Sequence, residues 1–177
     1  MIRVKNGDQA AFRELYEAHK EAIMSFVYQM VRNSNLAEEL TQEVFLRVYR
    51  DRQKYEATAG FRTYVFTIAR NLCLDHLRSP KSKEEFLEDY QIEAIEGDSE
   101  ADQALLQRTD RSQIEECLEK LKPEQKECLL HRTVSEMSYE EIGQVTGLSL
   151  PAVKTHIFRG KEALKECVQK KVVRGEE

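Results

Sequence analysis

Seven glycines and three prolines are all the backbone breakers that 177 residues contain, and this scarcity sets the fold class. Sandwiches and barrels need turn signals about every 8–12 residues, and α/β sheets need them at each crossover. A chain this poor in them reads as all-α. The hydrophobic share of 41% suffices for a core. Yet no apolar run approaches the roughly 20 residues that span a bilayer, and Met1–Gly7 lacks the apolar segment of a signal peptide. Cysteines 73, 117, 128 and 167 are scattered without a Cys-x-x-Cys pair, the pattern expected of reduced intracellular thiols. These features predict a helical, cytoplasmic protein with no membrane insertion.

Charge divides the chain further. Nine acids and no base fall between Glu84 and Gln103, although the net charge is only -5. Without that stretch the remainder carries a net +4. Phe61–Lys83 holds five Lys/Arg against one Asp, and Leu150–Arg174 holds seven against two Glu. Local charge governs attraction to a polyanion, so an acidic segment here separates two basic surfaces.

Helical spacing organises the first part. Asp8 is the expected N-cap of a helix with Phe12, Leu15, Ile23, Phe26 and Met30 on one face. Asn33-Ser34-Asn35 interrupts it, and Asn35-x-x-Glu38 reads as a capping box opening a second helix with Leu36, Leu40, Val44 and Val48 inward. A third helix is expected over Phe61–Ser79, stopped by Pro80. Phe61, Tyr64, Val65, Ile68, Leu72 and His76 are its expected core side. Thr63, Thr67 and Arg70 then gather opposite, with Asn71 and Arg78 at the edge. Residues 80–110 are acidic and poor in apolar residues, hence a linker, with a transient helix at Glu85–Ile95.

Beyond the linker the pattern resumes with a helix from Asp110 to Leu121. Pro123 is suited to the first position of the next helix, and Ser138-x-x-Glu141 is a capping box for a short one. Gly147 supplies a turn, Ser149 caps, and a basic helix follows with Val153, Ile157, Leu164 and Val168 inward. This is the helix-turn-helix arrangement. Its second helix lies in the major groove, so Lys154, Thr155, Phe158 and Arg159, with His156 nearby, are the candidate base-contacting residues. Lys161, Lys165 and Lys170 add phosphate attraction.

Other chemistry finds little support. Cys73-x-x-His76 and Cys128-x-x-His131 each put two zinc-ligand types on one helix face, but both occupy periodic core positions where Cys acts as a small hydrophobe. There is no Gly-rich phosphate loop and no HExxH or Gly-x-Ser-x-Gly motif. No enzyme, cofactor or metal is expected.

Two sets of motifs resemble a known family. Ala37-Glu-Glu-Leu-Thr-Gln-Glu-Val-Phe45 and Phe61-Arg-Thr-Tyr-Val-Phe-Thr-Ile-Ala-Arg-Asn-Leu-Cys-Leu-Asp-His-Leu-Arg78 resemble region 2 of bacterial sigma-70 factors. Leu121-Lys-Pro-Glu, Met137-Ser-Tyr-Glu-Glu-Ile-Gly and Val153-Lys-Thr-His-Ile-Phe-Arg-Gly-Lys-Glu-Ala-Leu164 resemble region 4. Their pairing over about 8–79 and 110–168 is similar to the extracytoplasmic-function (ECF) subfamily. The resemblance implies a region 2 domain at 1–79, a linker at 80–110 and a region 4 domain at 111–177.

It further implies an RNA polymerase specificity subunit. Leu40, Thr41, Gln42, Glu43 and Phe45 would dock on the β′ clamp helices, and the second domain would meet the β flap. Tyr55, Arg62, Tyr64, Thr67, Arg70, Asn71 and Arg78 would receive the -10 element of promoter DNA. Lys154, Thr155, His156, Phe158, Arg159 and Lys161 would read the -35 element. An anti-sigma factor would cover these faces, and the acidic linker would follow the polymerase's RNA path. Where members often carry Gly-Thr-Val-Arg/Lys-Ser-Arg, this chain has Pro151-Ala152-Val153-Lys154-Thr155-His156, which implies a weaker or altered -35 preference. Small basic patches and a tethered acidic linker imply negligible promoter affinity without polymerase. Two alternatives share the helices: a stand-alone helix-turn-helix regulator, and a sigma mimic that sequesters an anti-sigma factor.

Overall fold

The structure, a computed structural model, describes residues 1–57, 60–79 and 111–175. The described residues are helical, with no strand among them. The acidic segment, with its expected helix at Glu85–Ile95, lies outside them. The chain divides into an N-terminal and a C-terminal compact unit. Among the described residues no helix is long and apolar enough to cross a membrane.

In the N-terminal unit a short helix α1 (Ile2–Lys5) precedes α2 (Gln9–Val31), α3 (Ser34–Arg50) and α4 (Phe61–Arg78). The last three pack against one another pairwise. Asp8 caps α2, accepting from Ala11 N at 2.9 Å. That backbone bond, ahead of the neighbouring Arg3, holds the carboxyl below its ordinary pKa. Arg32 ends α2 with φ 55°, its guanidinium 4.9 Å from the Tyr28 ring centroid.

Two expectations for this unit need correction. The cap of α3 is Asn33, not Asn35: Asn33 has extended backbone and accepts from Leu36 N at 2.9 Å. On α4 the core side is turned by about a quarter turn from the expected one. Thr63, Val65, Phe66, Ala69, Leu72 and Cys73 are buried, while Phe61, Tyr64, Ile68 and His76 are only half-buried. Thr63, expected opposite the core, is therefore inside it. The edge-to-face pair of Phe26 and Phe66, with centroids 5.5 Å apart, shows what turned the helix: Phe66 has an aromatic partner on α2.

Beyond the acidic segment the chain runs α5 (Arg111–Glu119), α6 (Pro123–Thr133), α7 (Tyr139–Thr146) and α8 (Leu150–Gly175). Pro123 begins α6. Ser138 and Glu141 form the capping box: Ser138 N donates to Glu141 Oε2 at 2.8 Å, and Glu141 N to Ser138 Oγ at 3.2 Å. Gly147 turns the chain with φ +76°, a conformation cheap only for glycine. Val153, Ile157, Leu164 and Val168 face inward along α8.

The cysteines also depart from expectation. Cys117 on α5 and Cys167 on α8 form a disulfide, while Cys73 and Cys128 are free and buried. Spacing along the chain gives no sign of this pair, because only the packing of α5 on α8 brings the two sulfurs together.

Candidate nucleic-acid interface

The basic helix of the C-terminal unit presents one continuous stripe. Lys154, Thr155, Phe158 and Arg159 are exposed, forming two adjacent i,i+4 rows on the side opposite Val153 and Ile157. Phe158 is 67% exposed, one of four large apolar side chains so placed among the described residues. Thr155 Oγ1 donates to Pro151 O at 2.9 Å, which leaves its lone pairs directed outward. Ser149 Oγ receives Ala152 N at 3.4 Å and so caps the helix beneath the stripe. His156 and Lys161 are half-buried at its margins.

Of the candidate -10 residues of the N-terminal unit, Tyr55, Arg62 and Tyr64 gather at the start of α4, Thr67, Arg70 and Asn71 lie further along it, and Arg78 is its last residue. Tyr55 and Tyr64 contact each other edge-to-face with centroids 5.0 Å apart, and Phe61 lies 6.3 Å from Tyr64. Burial, followed by Asp51, raises the Tyr64 phenol above its ordinary pKa, so it stays a neutral donor. Beside Phe61, burial and then Arg62 lower the His19 imidazole pKa. Arg62, Thr67 and Arg70 are half-exposed, and Asn71 and Arg78 are exposed. Thr67 spends its hydroxyl proton on Thr63 O at 2.7 Å.

Sequence reasoning did not see what supports Tyr55. Lys5 Nζ donates to Tyr55 O at 3.2 Å, and Gln53 Nε2 donates to Lys5 O at 2.6 Å. Through these two bonds α1 holds the chain entering the loop before α4.

The third candidate surface is only partly as expected. Leu40, Thr41 and Phe45 are 9%, 6% and 4% exposed, and Phe45 packs its ring on Tyr16 at 4.7 Å. These three belong to the unit's own core. Gln42 is exposed and Glu43 half-exposed, the latter paired with Arg47 at 2.7 Å. Glu38, Gln42, Leu46 and Arg50 make the outer ridge of α3. Leu46, which sequence reasoning missed, is 63% exposed on that ridge. Among the described residues no group of three or more His, Cys, Asp or Glu is placed to hold a metal ion.

Against this geometry, the chain is 34% identical over 170 residues to the RNA polymerase sigma factor CarQ of Myxococcus xanthus, covering 95% of each. It belongs to the ECF sigma factors.

Sigma-70 region 2 matches residues 15–83 and Sigma-70 region 4 matches residues 111–164. The ECF sigma factor SigW of Bacillus subtilis is 29% identical, over 93% of this chain and 92% of its own. Two solved structures share the fold. CnrH, in complex with the cytosolic domain of CnrY, superposes with a TM-score of 0.72 at 21% identity, covering 96% of this chain and 94% of its own. Sigma factor RpoE, in complex with the anti-sigma factor NepR from Bartonella quintana, gives 0.71 at 20% identity, covering 90% and 97%. As an ECF sigma factor the protein acts with RNA polymerase in promoter-specific transcription initiation, and it contains both family regions in one chain.

Proposed function

We propose that this ECF sigma factor divides its labour among three surfaces. The ridge Glu38–Gln42–Leu46–Arg50 on α3 docks on core polymerase. The helix α4, with Tyr55 just before it and Arg62, Tyr64, Arg70, Asn71 and Arg78 along it, receives the -10 element. The stripe Lys154, Thr155, Phe158 and Arg159 reads the -35 element. That stripe carries the reading: two cations and an exposed ring on one capped helix face match guanine acceptors, phosphate and a thymine methyl, and the Thr155 hydroxyl, its proton given to Pro151 O, is left to accept from a base amino group. The protein works in the cytoplasm with polymerase and needs no catalysis of its own. An anti-sigma factor covers the exposed apolar side chains when it is idle, as the complexes of CnrH and RpoE suggest by likeness of fold.

Run-off transcription with bacterial core polymerase on a promoter library tests the reading. Initiation only in the presence of this chain supports it; retarded duplex without polymerase and no transcripts would point to a stand-alone regulator. On the promoter so found, Arg159→Ala is expected to reduce transcripts about 10-fold, the value of one bidentate base contact. A promoter with its -35 element scrambled should show no further loss. Ala152→Thr combined with His156→Arg should sharpen -35 selectivity, since it adds a hydroxyl and a fixed charge at the helix start. Unchanged selectivity in the same assay would refute that.

A further inference from the structure

The disulfide joins α5 to the C-terminal half of the helix that carries the -35 stripe, closing a sequence separation of 50 residues. Bacterial RNA polymerase works in a reducing compartment, where a disulfide forms when an oxidant makes it and cellular thiols take it apart. We propose that Cys117 and Cys167 are a reversible oxidation site whose co-reactant is a hydroperoxide, and that closing the bridge clamps the recognition helix onto α5.

The two sulfurs are unequal in the way such a site needs. Cys117 is fully buried, while Cys167 is half-exposed and lines an open cleft of about 670 Å³ with Lys120, Lys170, Lys171 and Glu166. Lys171 also pairs with Glu116 on α5, and that hydrogen bond holds the Glu116 carboxyl below its ordinary pKa. The three ammonium groups lining the cleft outnumber Glu166 and the paired Glu116, and this excess of positive charge favours the thiolate, the reactive form. The cleft gives a small peroxide access to Cys167 and denies it to Cys117. Cys73 and Cys128 are buried, out of reach of a peroxide in solution.

The chemistry then runs in two steps. The Cys167 thiolate attacks the outer oxygen of ROOH; the O–O bond breaks, ROH leaves with a proton from solvent, and Cys167 becomes a sulfenic acid. The Cys117 thiol displaces its hydroxyl, the S–S bond forms and water departs. Sulfur loses two electrons in total and the peroxide gains them. A small-molecule thiol reverses the change by exchange.

Bridging matters because α5 has only nine residues, too few to hold helical structure unless docked. It contributes Cys117 and Leu118 to the core of a unit that also includes the recognition helix. Closing so long a loop stabilises chiefly by restricting the unfolded chain. Oxidation therefore keeps the unit folded where the reduced form begins to open. The transcriptional consequence rests on the -35 reading proposed above; the thiol chemistry does not.

The test uses the full chain, reduced and then treated with hydrogen peroxide or tert-butyl hydroperoxide. Peptide mapping is expected to find one bridge, between positions 117 and 167, reopened by dithiothreitol. The C-terminal unit's melting midpoint should rise by about 10–20 °C. Run-off from a -35-dependent promoter should rise about twofold at the reduced unit's midpoint. Cys117→Ser and Cys167→Ser should each abolish all three responses while still folding. No bridge, a different pairing, or a bridge that leaves the melting midpoint unmoved overturns the proposal. If bridge and midpoint respond but transcription does not, and Arg159→Ala is equally silent, the oxidation site stands and the -35 reading falls.

Discussion

Replacing Leu46 with glutamate is expected to weaken association with core polymerase about 100-fold while leaving the free protein folded. Leu46 is 63% exposed on a ridge otherwise made of Glu38, Gln42 and Arg50. It has little to lose in the folded monomer, where surface substitutions usually stay within about 0.5 kcal/mol. At a polymerase interface it would be the central apolar anchor, ringed by polar side chains that exclude water. Truncating such anchors costs at least about 2 kcal/mol, and burying a carboxylate in its place adds a desolvation penalty. Equilibrium competition against labelled wild-type chain for core enzyme measures the loss, and thermal melting checks the fold. Wild-type affinity would move the docking surface elsewhere.

The second large effect concerns Gly160, where α8 crosses α6. A Cβ at this position would lie 2.9 Å from Leu129 Cδ1, 3.2 Å from its Cγ and 3.4 Å from Gln125 Cβ. Gly160→Leu should unfold the C-terminal unit and abolish -35-dependent initiation. A leucine there must push α8 off α6, and overpacking a tight core costs about 1–3 kcal/mol or more. A unit this small holds only a few kcal/mol in reserve. Gly160→Ala is expected to fold. Its overlap is confined to the Leu129 side chain, and the better helix propensity of alanine returns about 1 kcal/mol. Circular dichroism of both variants, followed by run-off transcription, distinguishes them. A folded, fully active Gly160→Leu chain would show that α6 and α8 are not in close contact in solution.

Much of the fold was legible because local chemistry had one solution. Asp8, Pro123, the Ser138–Glu141 box and Gly147 act within a few residues of themselves, and each is found where the pattern puts it. Misreadings arose where the chain offered two answers. Asn33 and Asn35 both suit an N-cap, and only backbone geometry selects the first. The α4 segment carries aromatics on several sides, so periodicity alone could not choose between Phe61 with Tyr64 and Phe66 with Ala69. The partner Phe26, distant in sequence, made that choice. On α3, Leu40 and Phe45 are expected at the polymerase surface as well as, for Leu40, in the core, and the structure buries both. The isolated Leu46 gave no periodic signal at all. The pairing of Cys117 with Cys167 was equally silent, since it depends on two helices meeting.

One property of α8 reaches further than its packing. It is an unbroken rod of 26 residues, so its DNA-reading end and its anchored end cannot move independently. Arg159 sits about 12 Å along the axis from Cys167, at 1.5 Å per residue. A tilt of about 10° at the anchor would therefore carry Arg159 sideways by about 2 Å, enough to break a hydrogen bond to a base edge. Whatever grips the far end of this rod steers the near end, and promoter choice becomes a matter of leverage.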